Sequence, residues 1–365
     1  MSENHSDESW WGWASSSRGP GRRSAPTPQR PPTPTERRPS HPLEGFRNRR
    51  RAQERLGSLL VRMTTPIAPE RGPRSGGRPG ASRRRRLQTR AKTQVGREHR
   101  RLIGSPRADL RRTLIERFLE RNLKGLNGPI LEIGPGEGRF TPVILRSGKP
   151  TVLLDLARPM LQSARRHLKR RTGEPQPWGY LQGAAEDLAM FRKDSWIAVV
   201  LVGFFGMLAN DAPKVLRSLA QVVQPGGRVI IEAQGPSNAV QENCSSTERS
   251  QYPTIRRLYS DIETYHLQSI IREGYQPHDP SHWANFEYRF WRPEELRTEL
   301  RRTGFAVLEQ MSLGPGLGVQ AGTLGALRRN PRAWRNLLET EEVMGHWPEC
   351  LGSGPAYLVS AERRR

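Results

Sequence analysis

The stretch 130–140 constrains the fold of this chain more than any other part of it. It opens with a short apolar run, which predicts a strand buried in a parallel sheet. Gly134, Gly136 and Gly138 follow, and apolar residues with helical spacing begin at Phe140. The order strand, glycine turn and helix predicts the start of a βαβ unit. Glycines there let the backbone approach a ligand closely, and the helix N-terminus offers free N–H groups.

The glycine spacing separates the candidate ligands. A dinucleotide-binding fingerprint needs its third glycine at the position that Arg139 occupies, so a NAD enzyme is only the third interpretation. The pattern is instead Glu132-x-Gly134-x-Gly136-x-Gly138. It resembles motif I of the class I S-adenosylmethionine (SAM)-dependent methyltransferases, in which the glycine turn faces the methionine part of the cofactor. A tight strand-to-helix turn without a ligand is the alternative.

The segment 151–161 resembles the next part of that family. An apolar strand over 151–155 ends in Asp155, and Asp155-Leu156-Ala157 continues into a helical pattern. The acid lies about 20 residues beyond the glycine turn, the distance expected for a carboxylate that binds both ribose hydroxyls. The other interpretation is an Asp that caps the next helix. The resemblance favours the ribose role.

Two further strands complete the cofactor edge in this interpretation. The segment 180–188 resembles the third strand of the family, although Ala184 stands where an acid commonly contacts adenine. Ala185 and Glu186 are therefore predicted to bind the cofactor there. The apolar run 196–202 predicts a central strand, and Gly203 follows it at the carboxyl end, where ligands of open α/β sheets bind.

The remaining patterns extend the resemblance over about 105–310 and the last strand. Alternating strands and helices predict a doubly wound α/β fold. The family implies a mostly parallel sheet of seven strands with an antiparallel last strand. The other predicted elements are helices over 105–124 and 292–304 and from Pro331, and strands over 228–233, 306–310 and 356–361.

The resemblance implies SAM as the cofactor and a specific set of binding residues. No spacing of His and Cys predicts a metal site, and no side chain is singled out as catalytic. The predicted cofactor-binding residues are Glu132, Gly134, Pro135, Gly136, Gly138, Asp155, Leu156, Ala185, Glu186 and Gly203.

The basic character of the chain is concentrated at its N-terminus. Residues 1–107 carry a net charge of +17 out of +24 for the whole chain. The segment 1–104 is rich in Arg, Pro, Ser and Gly and poor in aliphatic residues, which predicts a disordered arm. The arm could bind RNA phosphates, with tryptophans stacking on bases. The favoured interpretation of the arm is a solvated tail, or translated sequence upstream of a start at Met63.

The rest of the chain predicts one methyltransferase domain over 105–365, with a lid-like insertion at 235–289. No apolar run approaches the length of a membrane span, the N-terminus has no secretory signal, and two distant cysteines fit a reducing cytoplasm. A small-molecule or lipid-like acceptor is the first interpretation, and an RNA methyltransferase that uses the arm is the second. A noncatalytic binding module is a further alternative, because acids common in the third and fourth strands of the family are absent.

Overall fold

The computed structural model describes residues 105–171, 173–237, 265–277, 287–314 and 321–365. The predicted arm 1–104 and much of the predicted insertion lie outside this part. The helices are α1 (Pro106–Leu123), α2 (Thr141–Arg146), α3 (Arg158–Lys169), α4 (Ala212–Val222), α5 (Tyr265–Glu273), α6 (Pro293–Arg302), α7 (Ala321–Arg329) and α8 (Pro331–Gly345). The strands are β1 (Ile130–Ile133), β2 (Thr151–Asp155), β3 (Gly179–Gln182), β4 (Trp196–Leu201), β5 (Val223–Ala233), β6 (Tyr275–Gln276), β7 (Tyr288–Arg289), β8 (Phe305–Leu313) and β9 (Ala356–Arg363).

Seven of these strands form one sheet in the order β3-β2-β1-β4-β5-β9-β8. The strands β1 to β5 pair in parallel, and β9 runs antiparallel to both of its neighbours. The prediction of a mostly parallel, seven-stranded, doubly wound sheet with an antiparallel last strand is therefore confirmed. The strand order reverses at β1 and β4, and ligands of such sheets bind at that switch point.

The sheet is buried on both faces, which explains its continuous apolar strands. On one face, Leu131 and Ile133 pack in a cluster with the apolar sides of α4 and α6. On the other face, Ile130 and Val200 pack against α1 and α2. The strand β2 contributes Leu153 to a third cluster with α3. Alternation along each strand divides the core into these layers.

The helix α1 begins as the sequence predicts. The Ser105 hydroxyl accepts a hydrogen bond from the Ala108 N–H at 3.2 Å, and Pro106 occupies the first helical position. Leu114 and Phe118 on its inner face are fully buried. No helix within the described ranges has the length and apolar composition needed to cross a membrane.

Two elements differ from their predicted form. The strand β5 begins five residues earlier than predicted, because residues 224–227 bulge out of the ladder between the pairs Trp196–Val223 and Ala198–Arg228. The helix α7 begins within a glycine-rich stretch and was not predicted. The sequence predicted only the helix that follows it, from Pro331. Low intrinsic helix propensity is overridden there by contact with α1 and α8.

An ion-pair network joins α1, β8 and α8. Arg121 on α1 donates to Glu309 on β8 at 2.7 Å and to Glu342 on α8 at 2.6 Å. His346 lies 2.9 Å from Glu309. Burial would raise the pKa of Glu309, but hydrogen bonds from Arg121, His346 and Asn122 outweigh it and hold that pKa below its ordinary value. The network anchors the C-terminal helices to α1.

We expect Glu309→Gln to lower the free energy of unfolding by about 1–2 kcal/mol at pH 7, because it removes the ionised acceptor of these donors. A carboxyl whose pKa falls on folding stabilises the protein above its unfolded pKa, and that stability is lost as the pH drops through the folded value. Urea unfolding at pH 7 and at pH 3.5 should therefore show the difference from wild type shrinking in acid. The exposed Glu339→Gln on α8 is the control. An equal difference at both pH values would contradict this assignment.

Candidate functional site

The carboxyl ends of β3, β2, β1 and β4 lie side by side, and the structure gathers the predicted cofactor-binding residues at this edge. Glu132 lies within β1, and the glycine turn follows that strand. The other predicted positions come after the neighbouring strands. They are Asp155 and Leu156 around the end of β2, Ala185 and Glu186 after β3, and Gly203 after β4.

Each glycine of the turn has a positive φ and a different environment. The φ angles are 68° at Gly134, 58° at Gly136 and 77° at Gly138, in the left-handed region that favours glycine. A Cβ on Gly138 would lie 3.3 Å from Ala164 on α3 and from the Thr141 hydroxyl. A Cβ on Gly136 would meet no atom within 4 Å. Gly138 therefore serves helix packing, and the backbone at Gly136 is open to a ligand.

An aromatic ring covers the first glycine. A Cβ on Gly134 would lie 2.5 Å from the ring of Phe204, which is the third residue after the end of β4. Gly203 has a φ of 87° and turns the chain so that this ring reaches the glycine turn. From the sequence, the segment 203–210 is expected at this ligand-binding end of the sheet, but Phe204 within it is not singled out. Only glycine fits at position 134 beneath this ring.

Glu132 is a buried acid beneath the turn. Its side chain is 3% exposed and accepts a hydrogen bond from the Thr141 hydroxyl at 2.7 Å. Burial raises the pKa of Glu132 to about 7, the Thr141 hydrogen bond opposes the shift, and the charge of Asp155 adds to it. Glu132 therefore titrates near neutral pH, where a cationic ligand at this edge would favour its ionised form.

Asp155 closes β2 and is 8% exposed. Its Oδ1 accepts a hydrogen bond from the Ala157 N–H at 2.8 Å. That bond turns the chain into α3, whose N-cap residue is Ala157 and has no side-chain cap. Leu156 continues the turn, and its carbonyl accepts from Gln182 at 3.2 Å. The carboxylate is thus held in a fixed orientation at the switch point.

The remaining predicted residues differ in accessibility. Pro135 accepts a hydrogen bond from the Gly138 N–H at 2.9 Å, which closes the turn. Ala185 packs in the core cluster of β1 and β2, while Glu186 beside it is half-buried. Of these two, Glu186 has the side chain better placed to reach a ligand.

A second aromatic contact lies beyond the end of β4. A Cβ on Gly206 would lie 2.2 Å from the ring of Tyr288, so the strand β7 docks against the 3-10 helix Phe205–Asp211. Tyr288 in turn packs on Phe290, with ring centroids 4.8 Å apart. The sequence contains no local signal for this contact, because it joins the segment after β4 to a residue near the end of the predicted insertion, far away in the chain.

A groove of about 520 Å³ lies elsewhere, between α4 and α6. Its lining includes Asn210, Arg289, Trp291 and Glu299 and none of the predicted cofactor-binding residues. Its lining comes from residues around α4 and α6 and includes no residue of the glycine turn. The groove is therefore separate from the residues predicted to bind the cofactor.

Residues 131–231 match the model of a family described as a methyltransferase domain. The chain is also 28% identical over 147 residues to the biotin biosynthesis bifunctional protein BioHC of Cellvibrio japonicus. This match covers 40% of the chain and 27% of that relative, so the chain spans about a quarter of its length.

Two solved structures show similarity over most of their own length. A putative S-adenosylmethionine-dependent methyltransferase from Listeria monocytogenes is 15% identical, with 70% of this chain and all of that chain covered, at a TM-score of 0.45. The 1,6-didemethyltoxoflavin-N1-methyltransferase of Burkholderia thailandensis is 14% identical, with 83% and 100% covered, also at 0.45. At these scores neither structure carries an argument about ligand or activity.

The residues present fit the cofactor of that family. The backbone at Gly136 is open, so it can be approached closely, and Asp155 presents a carboxylate at the end of the adjacent strand. Glu132 adds a second acid behind the turn. The strand order of the sheet and the match over 131–231 together support a methyltransferase domain of the class I SAM-dependent kind in this part of the chain.

Proposed function

We propose that this chain transfers a methyl group from SAM to a small-molecule or lipid-like acceptor. The observation that carries the proposal is the open, left-handed backbone at Gly136 next to the buried carboxylate of Asp155. When bound, SAM supplies a methyl group already activated by its sulfonium. The protein therefore has to position the reactants and exclude water.

The roles of the side chains follow from their places at the edge. The glycine turn would receive the methionine part of SAM, and Asp155 would accept hydrogen bonds from the ribose hydroxyls. The half-buried Glu186 lies at the end of β3, where the adenine would bind. Ionised Glu132 would add a favourable electrostatic interaction with the cationic cofactor. Pro135, Leu156, Ala185 and Gly203 complete the proposed site.

The acceptor is proposed to bind at the end of β4. Phe204 and Tyr288 place aromatic rings there, and apolar walls with few polar groups are typical of small-molecule sites. The name of the curated relative refers to the biosynthesis of biotin, a small molecule, which supports this class of acceptor. The proposed location of the enzyme is the cytoplasm, in keeping with its unpaired Cys350.

RNA is the second candidate acceptor. Residues 1–107 hold a net charge of +17, whereas 108–365 hold only +7. An RNA methyltransferase would thus depend on the proposed arm 1–104 for its phosphate contacts. The charge distribution separates the two candidates, because the domain alone has little excess charge with which to bind RNA.

We expect Gly136→Val to weaken SAM and S-adenosylhomocysteine binding at least about 10-fold, because a branched side chain would occupy the ligand side of the turn. Gly148→Val is a matched control. Gly148 has a φ of 74° and also meets no atom within 4 Å, but it lies at the other end of α2. Calorimetry on both variants measures the affinity. Equal affinities in the two folded variants would contradict the proposed cofactor site.

We expect the protein lacking residues 1–104 to bind S-adenosylhomocysteine as tightly as the full chain, since no proposed site residue lies in the arm. Filter binding of both proteins to total RNA at two salt concentrations tests the acceptor. With a small-molecule acceptor, any RNA binding should disappear with the arm. Tight, salt-sensitive RNA binding by the shortened protein would instead favour the RNA methyltransferase.

A further inference from the structure

Three arginines meet above the carboxyl edge of the sheet. Arg111 and Arg112 lie on α1, and Arg139 directly follows the glycine turn. Arg139 is half-buried, and its burial, followed by the charges of Arg111 and Arg112, lowers its pKa. Guanidinium groups stay protonated in proteins, so the three positive charges repel one another at this point. Such an arrangement is costly unless an anion binds there.

The nearby carboxylates do not neutralise all of these charges. Arg111 pairs with Glu232, which is 4% exposed at the end of β5. Asp109 is shared between Arg112, at 3.5 Å, and Arg328, at 2.5 Å. Within the described part of the chain, Arg139 has no carboxylate at ion-pair distance. Arg139 therefore lies among like charges without a direct ion pair, and the carboxylates of Asp109 and Glu116 act on it only from a longer distance.

A buried donor supports the same conclusion. The Nε of Arg112 is inaccessible to solvent and has no hydrogen-bond acceptor, although the end of that side chain is partly exposed. A buried N–H without a partner is unfavourable, because it has lost its hydrogen bonds to water. The carboxylate of a ligand could satisfy such a guanidinium with two parallel hydrogen bonds after a small rotation of the side chain.

The sheet order places the arginines beside the reaction site. The strand β4 lies between β1 and β5. Arg139 follows β1, and Arg111 reaches across to Glu232 at the end of β5. The arginines thus flank the end of β4, where the acceptor is proposed to bind.

We propose that Arg112 and Arg139, supported by Arg111, bind the carboxylate or phosphate group of a small ligand at this edge. The inference rests on the proposed function in one respect, that the ligand is either SAM or its acceptor. Arg139, which has no ion pair within the described residues, and Arg112, whose ion pair with Asp109 is long and shared, suit one compact anion in this half-buried place. A nucleic-acid backbone would require an extended row of cations.

The test uses the full chain with Arg112→Met and Arg139→Met, which remove the charge and retain the apolar stem. Arg146→Met is the matched control, because Arg146 is an exposed residue of α2 paired with Glu120. Arg139→Lys tests whether charge alone suffices. Circular dichroism establishes that each variant is folded, and the two Met variants are evaluated independently.

The first measurement is the melting temperature in 10 mM sodium phosphate against sodium chloride of equal ionic strength. A phosphate site with a Kd near 1 mM would raise the melting temperature by about 2–4 °C. The second measurement compares affinities for S-adenosylhomocysteine and 5′-methylthioadenosine, which lacks the amino-acid carboxylate. Together they distinguish an anion of the acceptor from the carboxylate of the cofactor.

Loss of the phosphate effect in both Met variants, with unchanged S-adenosylhomocysteine affinity, assigns the site to the acceptor. A loss of about 10-fold or more in S-adenosylhomocysteine affinity, with unchanged 5′-methylthioadenosine affinity, assigns it to the cofactor. Both results support the proposal, with Arg146→Met behaving as wild type. Unchanged phosphate effect and affinities in both Met variants overturn it.

Failure of the proposed function gives a different result. If the wild-type chain binds no S-adenosylhomocysteine, the methyltransferase assignment of function fails, whereas the phosphate measurement still decides whether the anion site exists. If wild type shows neither a phosphate effect nor a dependence of S-adenosylhomocysteine binding on Arg139, the anion site is wrong and the cofactor site stands.

Discussion

The left-handed backbone of the glycine turn is the constraint on which the rest of the site depends. Gly134, Gly136 and Gly138 all have φ angles between 58° and 77°, and each leaves out a Cβ for a separate reason. The first makes room for the ring of Phe204, and the third lets α3 pack close to α2. The middle glycine leaves the backbone open. One short turn thus joins the core, the wall of the proposed acceptor site and the proposed cofactor site.

The charged side chains at this edge form two groups, with acids on one side of the glycine turn and arginines on the other. Glu132 and Asp155 are both largely buried, and their proximity is one reason why the pKa of Glu132 rises to about 7. A cationic cofactor beside them would relieve that repulsion. Arg139 lies on the other side of the same turn among further positive charges. The edge therefore presents complementary charge to a ligand that carries both a cation and an anion, or to two ligands that carry one each.

Local patterns were sufficient to predict the sheet and the position of Asp155. Apolar runs that end in turn residues define parallel strands, and the spacing from glycine turn to acid lies within one βαβ unit. The contacts that complete the site join distant segments. The packing of Tyr288 on Gly206 joins the predicted insertion to the segment after β4. The approach of Arg139 to the arginines of α1 depends on how that helix crosses the sheet edge. Periodicity within one segment contains no information about such contacts. The residue Arg139 was interpreted from sequence only as a departure from the dinucleotide fingerprint.

Hydrogen–deuterium exchange with and without S-adenosylhomocysteine tests the central claim most directly. The account predicts slower exchange, on binding, in the peptides that contain the turn 134–138, the segment 155–157 and the turn 203–204. Peptides that line the groove between α4 and α6 should exchange at the same rate in both states. Protection confined to that groove, or binding with no protection of the glycine turn, would contradict the account.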